Sequence, residues 1–106
     1  MSLSSGQIKR LRAEGHRLKL KPVVIVGQKG LSENLHDEIE QALSHHEMIK
    51  MRIPALDKAD KAKLAALICA RHGATLVERI GSVLVIYRRN GETDRYGLIV
   101  SQKPQT

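Results

Sequence analysis

Apolar and polar positions alternate along this chain in two different periods, and the switches between them mark its elements. Ser4 or Ser5 caps a first helix running to about Glu14, with Ile8 and Leu11 as a thin apolar stripe and Gly15 at its end. Pro22 opens the run Val23-Val24-Ile25-Val26, β-branched throughout and apolar on both faces, which predicts a strand buried on both sides or a short parallel strand. Gly27-Gln28-Lys29-Gly30 breaks that run, and Ser32 caps a second helix to about His46. Leu35, Ile39, Ala42 and Leu43 keep helical spacing and define its inner face. Ile49, Met51 and Ile53 alternate with Lys50 and Arg52, the pattern of a half-buried strand whose polar side is basic.

Pro54 ends that strand. Asp57 or Asp60 starts a third helix to about His72, with Leu64, Leu67 and Ile68 inward and Gly73 as its stop. Thr75 to Ile80 and Val83 to Arg88 form a hairpin around Gly81-Ser82, a two-residue loop suited to a type II′ turn. Val83 to Tyr87 is continuously apolar and belongs inside the sheet, while adjacent Glu78 and Arg79 must face opposite ways. From Asn90 the chain is polar apart from Leu98-Ile99-Val100 and reads as a mobile tail. The order α-β-α-β-α-β-β predicts an α/β (α+β two-layer) domain over residues 1–89, a four-stranded mixed sheet packed on helices, with 90–106 as the tail.

Composition narrows the chemistry. The chain has 106 residues, 42% of them apolar, enough for one core and too few for two. Its one cysteine cannot close an internal disulfide, which points to a reducing cytoplasm, and neither an export signal nor a membrane-spanning run is expected. The net charge of +7 calls for an anionic partner. That charge is blocked: seven basic residues against Glu14 alone from Gln7 to Lys29, then five acids and no Lys or Arg from Gly30 to Glu47. Eleven basic and five acidic residues follow from Met48 to Thr106. Six excess positives in the first block repel one another unless an anion relieves them. With no Trp or Phe and only Tyr87 and Tyr96, the chain lacks the stacking platforms of many RNA binders.

The candidate site is Val26-Gly27-Gln28-Lys29-Gly30-Leu31-Ser32, a strand running into a glycine loop and a helix N-terminus. Two glycines three apart allow positive φ and a close partner, helix N–H groups suit a phosphate, and Lys29 reaches the same anion. Arg17, Lys19 and Lys21 precede it. The G-x-x-x-x-G-K-[ST] and G-x-G-x-x-G spacings are both absent, so no nucleotide cofactor is expected. Catalysis has little support: His45-His46 have no metal ligands at a fitting spacing, His36 to Glu40 lacks the second histidine of a zinc-protease helix, and Cys69 sits among core residues. Lys50 and Arg52, on one face of a strand, extend the basic surface, and Arg88 and Arg89 read similarly.

The stretch from Lys19 through Val23-Val24-Ile25-Val26-Gly27-Gln28-Lys29-Gly30 to Leu31 resembles the signature of the CRM domain (chloroplast RNA splicing and ribosome maturation), in its stand-alone bacterial YhbY-type form. The likeness continues from Glu38 to Met51, through Ile80-Gly81 and through Leu84 to Arg88, covering roughly Leu3 to Arg89. It implies a fold resembling the C-terminal domain of translation initiation factor three, with strand order 1-2-4-3. It also implies RNA binding by a loop acting like that of KH domains and, for a single-domain member, a role on precursors of the large ribosomal subunit.

Together these readings predict a non-enzymatic, cytoplasmic, monomeric binder of ribosomal RNA, with no metal, cofactor, membrane or small-molecule substrate. Gly27, Gln28, Lys29 and Gly30 clamp the sugar-phosphate backbone, Gln28 by backbone proximity alone. Lys9, Arg10, Arg17, Lys19 and Lys21 track the adjoining strand, with Lys50 and Arg52 contributing less. The alternative is a protein-interaction adaptor docking on an acidic assembly partner, with the acidic helix as a second interface. An RNA hydrolase has only scattered histidines and acids to motivate it.

Overall fold

The computed structural model describes residues 3–100. Its elements are α1 (Ser5–Leu18), β1 (Pro22–Ile25), α2 (Glu33–His46), β2 (Met48–Arg52), α3 (Lys58–His72), β3 (Thr75–Ile80), β4 (Val83–Tyr87) and α4 (Gly97–Val100). The strands form one mixed sheet in the order β1-β2-β4-β3. β1 and β2 are parallel, and β4 is antiparallel to both its neighbours, so it lies inside the sheet as its apolar run requires.

The helices begin where side chains can cap them. Ser4 and Gln7 form a reciprocal capping box on α1, Ser32 accepts from Leu35 N–H on α2, and Asp57 accepts from Asp60 N–H on α3. Gly73 closes α3 in the left-handed conformation. Gly15, expected to stop α1, lies inside it. A mid-helix glycine costs only about 1 kcal/mol relative to alanine, and this one is buried against Leu20 and Met48. The left-handed residue that ends α1 is Lys19. At the hairpin, Gly81 has φ +55° and Ser82 does not turn positive, as a type II′ turn requires.

One face of the sheet is sealed by α2 and α3. Ile39, Leu43 and Ile68 meet Met51, Leu84 and Ile86 in one buried apolar cluster. Leu67, expected inward, is 61% exposed. The buried residues of α3 are Ala65, Ile68 and His72, which share a stripe at i, i+3 and i+7, and Leu67 lies round the helix from it. On the other face α1 and α4 form a partial layer, with Leu11, Val85, Tyr87, Tyr96 and Val100 in a second cluster.

Of the two readings of the run over residues 23–26, the short parallel strand is the one that forms, paired with β2, and the strand buried on both sides is not. β1 is an edge strand with only one face buried: Val24 and Val26 point into the core, while Val23 and Ile25 are 50% and 65% exposed. Nor is the chain beyond Asn90 a loose tail over residues 90–100. The buried Glu47 carboxylate accepts hydrogen bonds from the Asn90 and Arg95 backbone N–H groups at 3.2 and 2.9 Å and from the Thr93 hydroxyl. Tyr96 then packs edge-to-face on Tyr87, ring centroids 5.9 Å apart. Residues 101–106 lie outside the described residues.

Candidate nucleic-acid interface

β1 delivers the chain into a tight turn in which Gly30 N–H donates to Gly27 O at 3.0 Å. Gly30 has φ +82°, which only glycine adopts without strain. Gly27 has no positive φ, and a Cβ placed on it would meet nothing within 4 Å. The fold itself therefore makes no demand for glycine at 27, and its bare backbone is open to a close approach from outside. Gln28 and Lys29, at the crest of the turn, are exposed. The helix N-terminus behind them is less available than its position suggests. Ser32 already accepts from Leu35 N–H at 3.1 Å, and Glu33 occupies the first turn, ion-paired to Arg71 at 3.0 Å.

The sheet sets further cations beside this loop. Ile25 pairs with Arg52, and Val26 N–H donates to Arg52 O at 2.8 Å, so Arg52 flanks the loop's entry. Pro22 pairs with Lys50, which brings Lys21 and Lys50 to the rim of one hollow of about 270 Å³ that also holds Val23, Tyr96 and Arg95. Arg95 was invisible as a site residue in the sequence, because its place depends on Glu47. The Arg95 backbone is tied to that carboxylate, and its Nε–H donates to His45 O at 3.0 Å. Exposed Val23 and Ile25 complete the strip as an aliphatic surface between cations.

The remaining expected contacts scatter. Lys19 is exposed at the end of α1, close in sequence to Lys21. Arg17 is forked onto Glu14 at 2.5 and 3.0 Å. Lys9 and Arg10 lie on the N-terminal half of α1, the half that Gln7 ties to Val100 O of α4, and among the described residues no hydrogen bond or ion pair joins them to the loop. Arg10 is half-buried, and its Nε has no hydrogen-bond partner among the described residues. The two tyrosines are 3% and 9% exposed, so neither offers an open stacking face.

The histidines and acids serve packing. His72, nearly buried, lies between His36 at 3.0 Å and Glu40 at 3.1 Å, and Arg88 forks onto Glu40 at 2.8 and 2.7 Å. Arg88 and then His72 hold the Glu40 carboxyl down at a pKa of about 2. This network ties α2 to α3 and to the end of β4. His45 lies against Gln41 O, and burial pushes the Cys69 thiol up, away from thiolate chemistry. Among the described residues no cluster of three or more His, Cys, Asp or Glu side chains is arranged to hold a metal ion, and no helix is long and apolar enough to cross a membrane.

Fold and site together define a small mixed α/β domain that presents a glycine turn and a cationic, aliphatic strip at one edge of its sheet. The chain belongs to the CRS1/YhbY (CRM) domain family, whose pattern it matches over residues 3–88. It is 36% identical over 95 residues to a "Probable RNA-binding protein" of Pseudomonas aeruginosa, covering 90% of this chain and 89% of that one. An RNA-binding protein of Haemophilus influenzae is 38% identical, with 86% of this chain and 90% of the relative covered. The solution structure of the hypothetical protein SAV1595 from Staphylococcus aureus superimposes with a TM-score of 0.73 at 31% identity, over 84% of this chain and 91% of that one. Both bacterial relatives are named for RNA binding.

Proposed function

We propose that this protein is a non-enzymatic, monomeric RNA-binding protein of the cytoplasm, that its target is ribosomal RNA in precursors of the large subunit, and that it grips a single-stranded segment along β1. The observation that carries the reading is the glycine at 27, which nothing in the chain demands, set at the end of a strip bearing Lys21, Lys50, Arg52 and Arg95. In this arrangement the turn receives a phosphate-sugar unit and Lys29 neutralises it. The cations follow the backbone, and bases lie on Val23 and Ile25 in place of aromatic rings. The names of the relatives support RNA as the ligand, and the resemblance to single-domain bacterial CRM proteins supports the ribosomal target.

Lys29→Glu tests the site. It should weaken RNA binding at least tenfold without lowering the melting temperature, because an exposed turn lysine carries no core packing. Unchanged affinity would make the turn purely structural. Crosslinking in cells followed by sequencing of the attached RNA tests the target, with enrichment of large-subunit ribosomal RNA as the expected result.

A further inference from the structure

Cations outside the glycine-loop strip gather at the same end of the sheet, on its other edge. β1, β2 and β3 all run toward this end and β4 starts from it, so the Gly27–Gly30 turn, Arg52 and the Gly81–Ser82 turn share one rim. The hairpin is fastened there: Ile53 N–H donates to Ser82 O at 2.8 Å, and Arg52 pairs with Val83. β3 carries Arg79 to the rim, and α3 begins beside it, with Arg79 Nη1 donating to Lys58 O at 3.3 Å. Lys61 follows one turn along α3. Lys58, Lys61, Arg79 and Gly81 together line a hollow of about 230 Å³.

No ion pair engages these three cations among the described residues. The nearby acids do not line the hollow; the Asp57 carboxylate is occupied in capping Asp60 N–H at 2.8 Å. Three like charges around one small opening repel each other, and an anion entering it relieves them. The hollow is smaller than the pockets that enclose a drug-sized ligand, which suits a single phosphate group. At about 4.8 Å between neighbouring strands, it lies roughly 14 Å across the sheet from the glycine turn, with Arg52 between the two.

We propose that this hollow is a second backbone-phosphate site, taking a later phosphate of the same RNA strand that the glycine turn holds. It rests on the RNA-binding reading above, and the strand would cross the rim of the sheet from the turn, past Arg52, to the hairpin. Fluorescence anisotropy with oligouridylate of about four and about twelve nucleotides, spanning the range of single-strand site sizes, tests it on three proteins: wild type, Lys29→Glu, and the double variant Lys58→Gln/Lys61→Gln. The double variant should match wild type on the short probe, which also shows that it is folded. On the long probe it should bind more weakly, with a log–log salt slope shallower by about 1.4, or 0.7 for each lost contact. Equal loss on both probes, or loss on neither, overturns the inference. If Lys29→Glu alone is impaired, the proposed function stands and this extension fails; wild-type protein that binds neither probe removes both.

Discussion

Glu47 shows how much of this structure rests on one side chain. Burial pushes its pKa up, but the hydroxyl of Thr93 and the backbone N–H groups of Arg95 and Asn90 stabilise the carboxylate and leave it lowered on balance. A lowered folded pKa adds stability that is fully present above the unfolded value of 4.5 and is lost as the pH falls through the folded one. Glu40 behaves alike: its contribution is lost from 4.5 down to about 2, so Glu40→Gln should flatten the urea-denaturation profile across that window. Glu47→Ala strands buried donors and should cost about 2–4 kcal/mol at neutral pH. It should also shift the near-ultraviolet signal of Tyr96, which the same segment carries into the core. A different residue separates base contacts from phosphate contacts. Ile25→Ser should weaken RNA binding while leaving its salt slope unchanged, since no charge is lost; a changed slope would remove Ile25 from the base-facing role. The places of Lys29 and Arg52 beside the glycine turn were legible because a local pattern of strand, glycine and cation announces them. Those of Glu47 and Arg95 were not, since their partners lie 43 to 50 residues apart in a stretch whose polarity looked like a tail.

At the scale of elements, the glycine turn separates folding from function. Gly30, at φ +82°, is required by the backbone, and Gly30→Ala should cost about 1–2 kcal/mol. Gly27 is under no such requirement, so Gly27→Ala should leave the melting temperature unchanged or slightly raised while it weakens RNA binding. Equal binding by Gly27→Ala and wild type would show that no backbone approaches there. The full strand order followed from the family resemblance, while the positions of α1 to α3 and the interior place of β4 were readable, because caps and hydrophobic period act locally. The exposure of β1 was not. A run of four β-branched residues reads the same whether one face or two is covered, and here the outcome depends on where α1 lies, over β3 and against α4. An exposed apolar edge strand is an aggregation hazard unless something covers it. Here it lies beside the cations Lys50 and Arg52.

Over the whole molecule, the net +7 resolves into charges with different duties. Arg12, Arg17 and Arg88 are engaged with Val77 O, Glu14 and Glu40 within the fold. The cations left facing solvent near the glycine turn lie along one edge of the sheet. The sequence could count the charge, but only the fold could divide it. With both tyrosines buried against each other, attraction to phosphates has to supply most of the affinity, and affinity of that kind depends on salt. The most direct test is therefore the equilibrium binding of the purified protein to single-stranded ribosomal RNA fragments across a range of salt concentrations. With about five phosphates contacted on a single strand, log K against log salt should fall with a slope of about −3.5. A slope near zero, or no binding at low salt, would contradict the account.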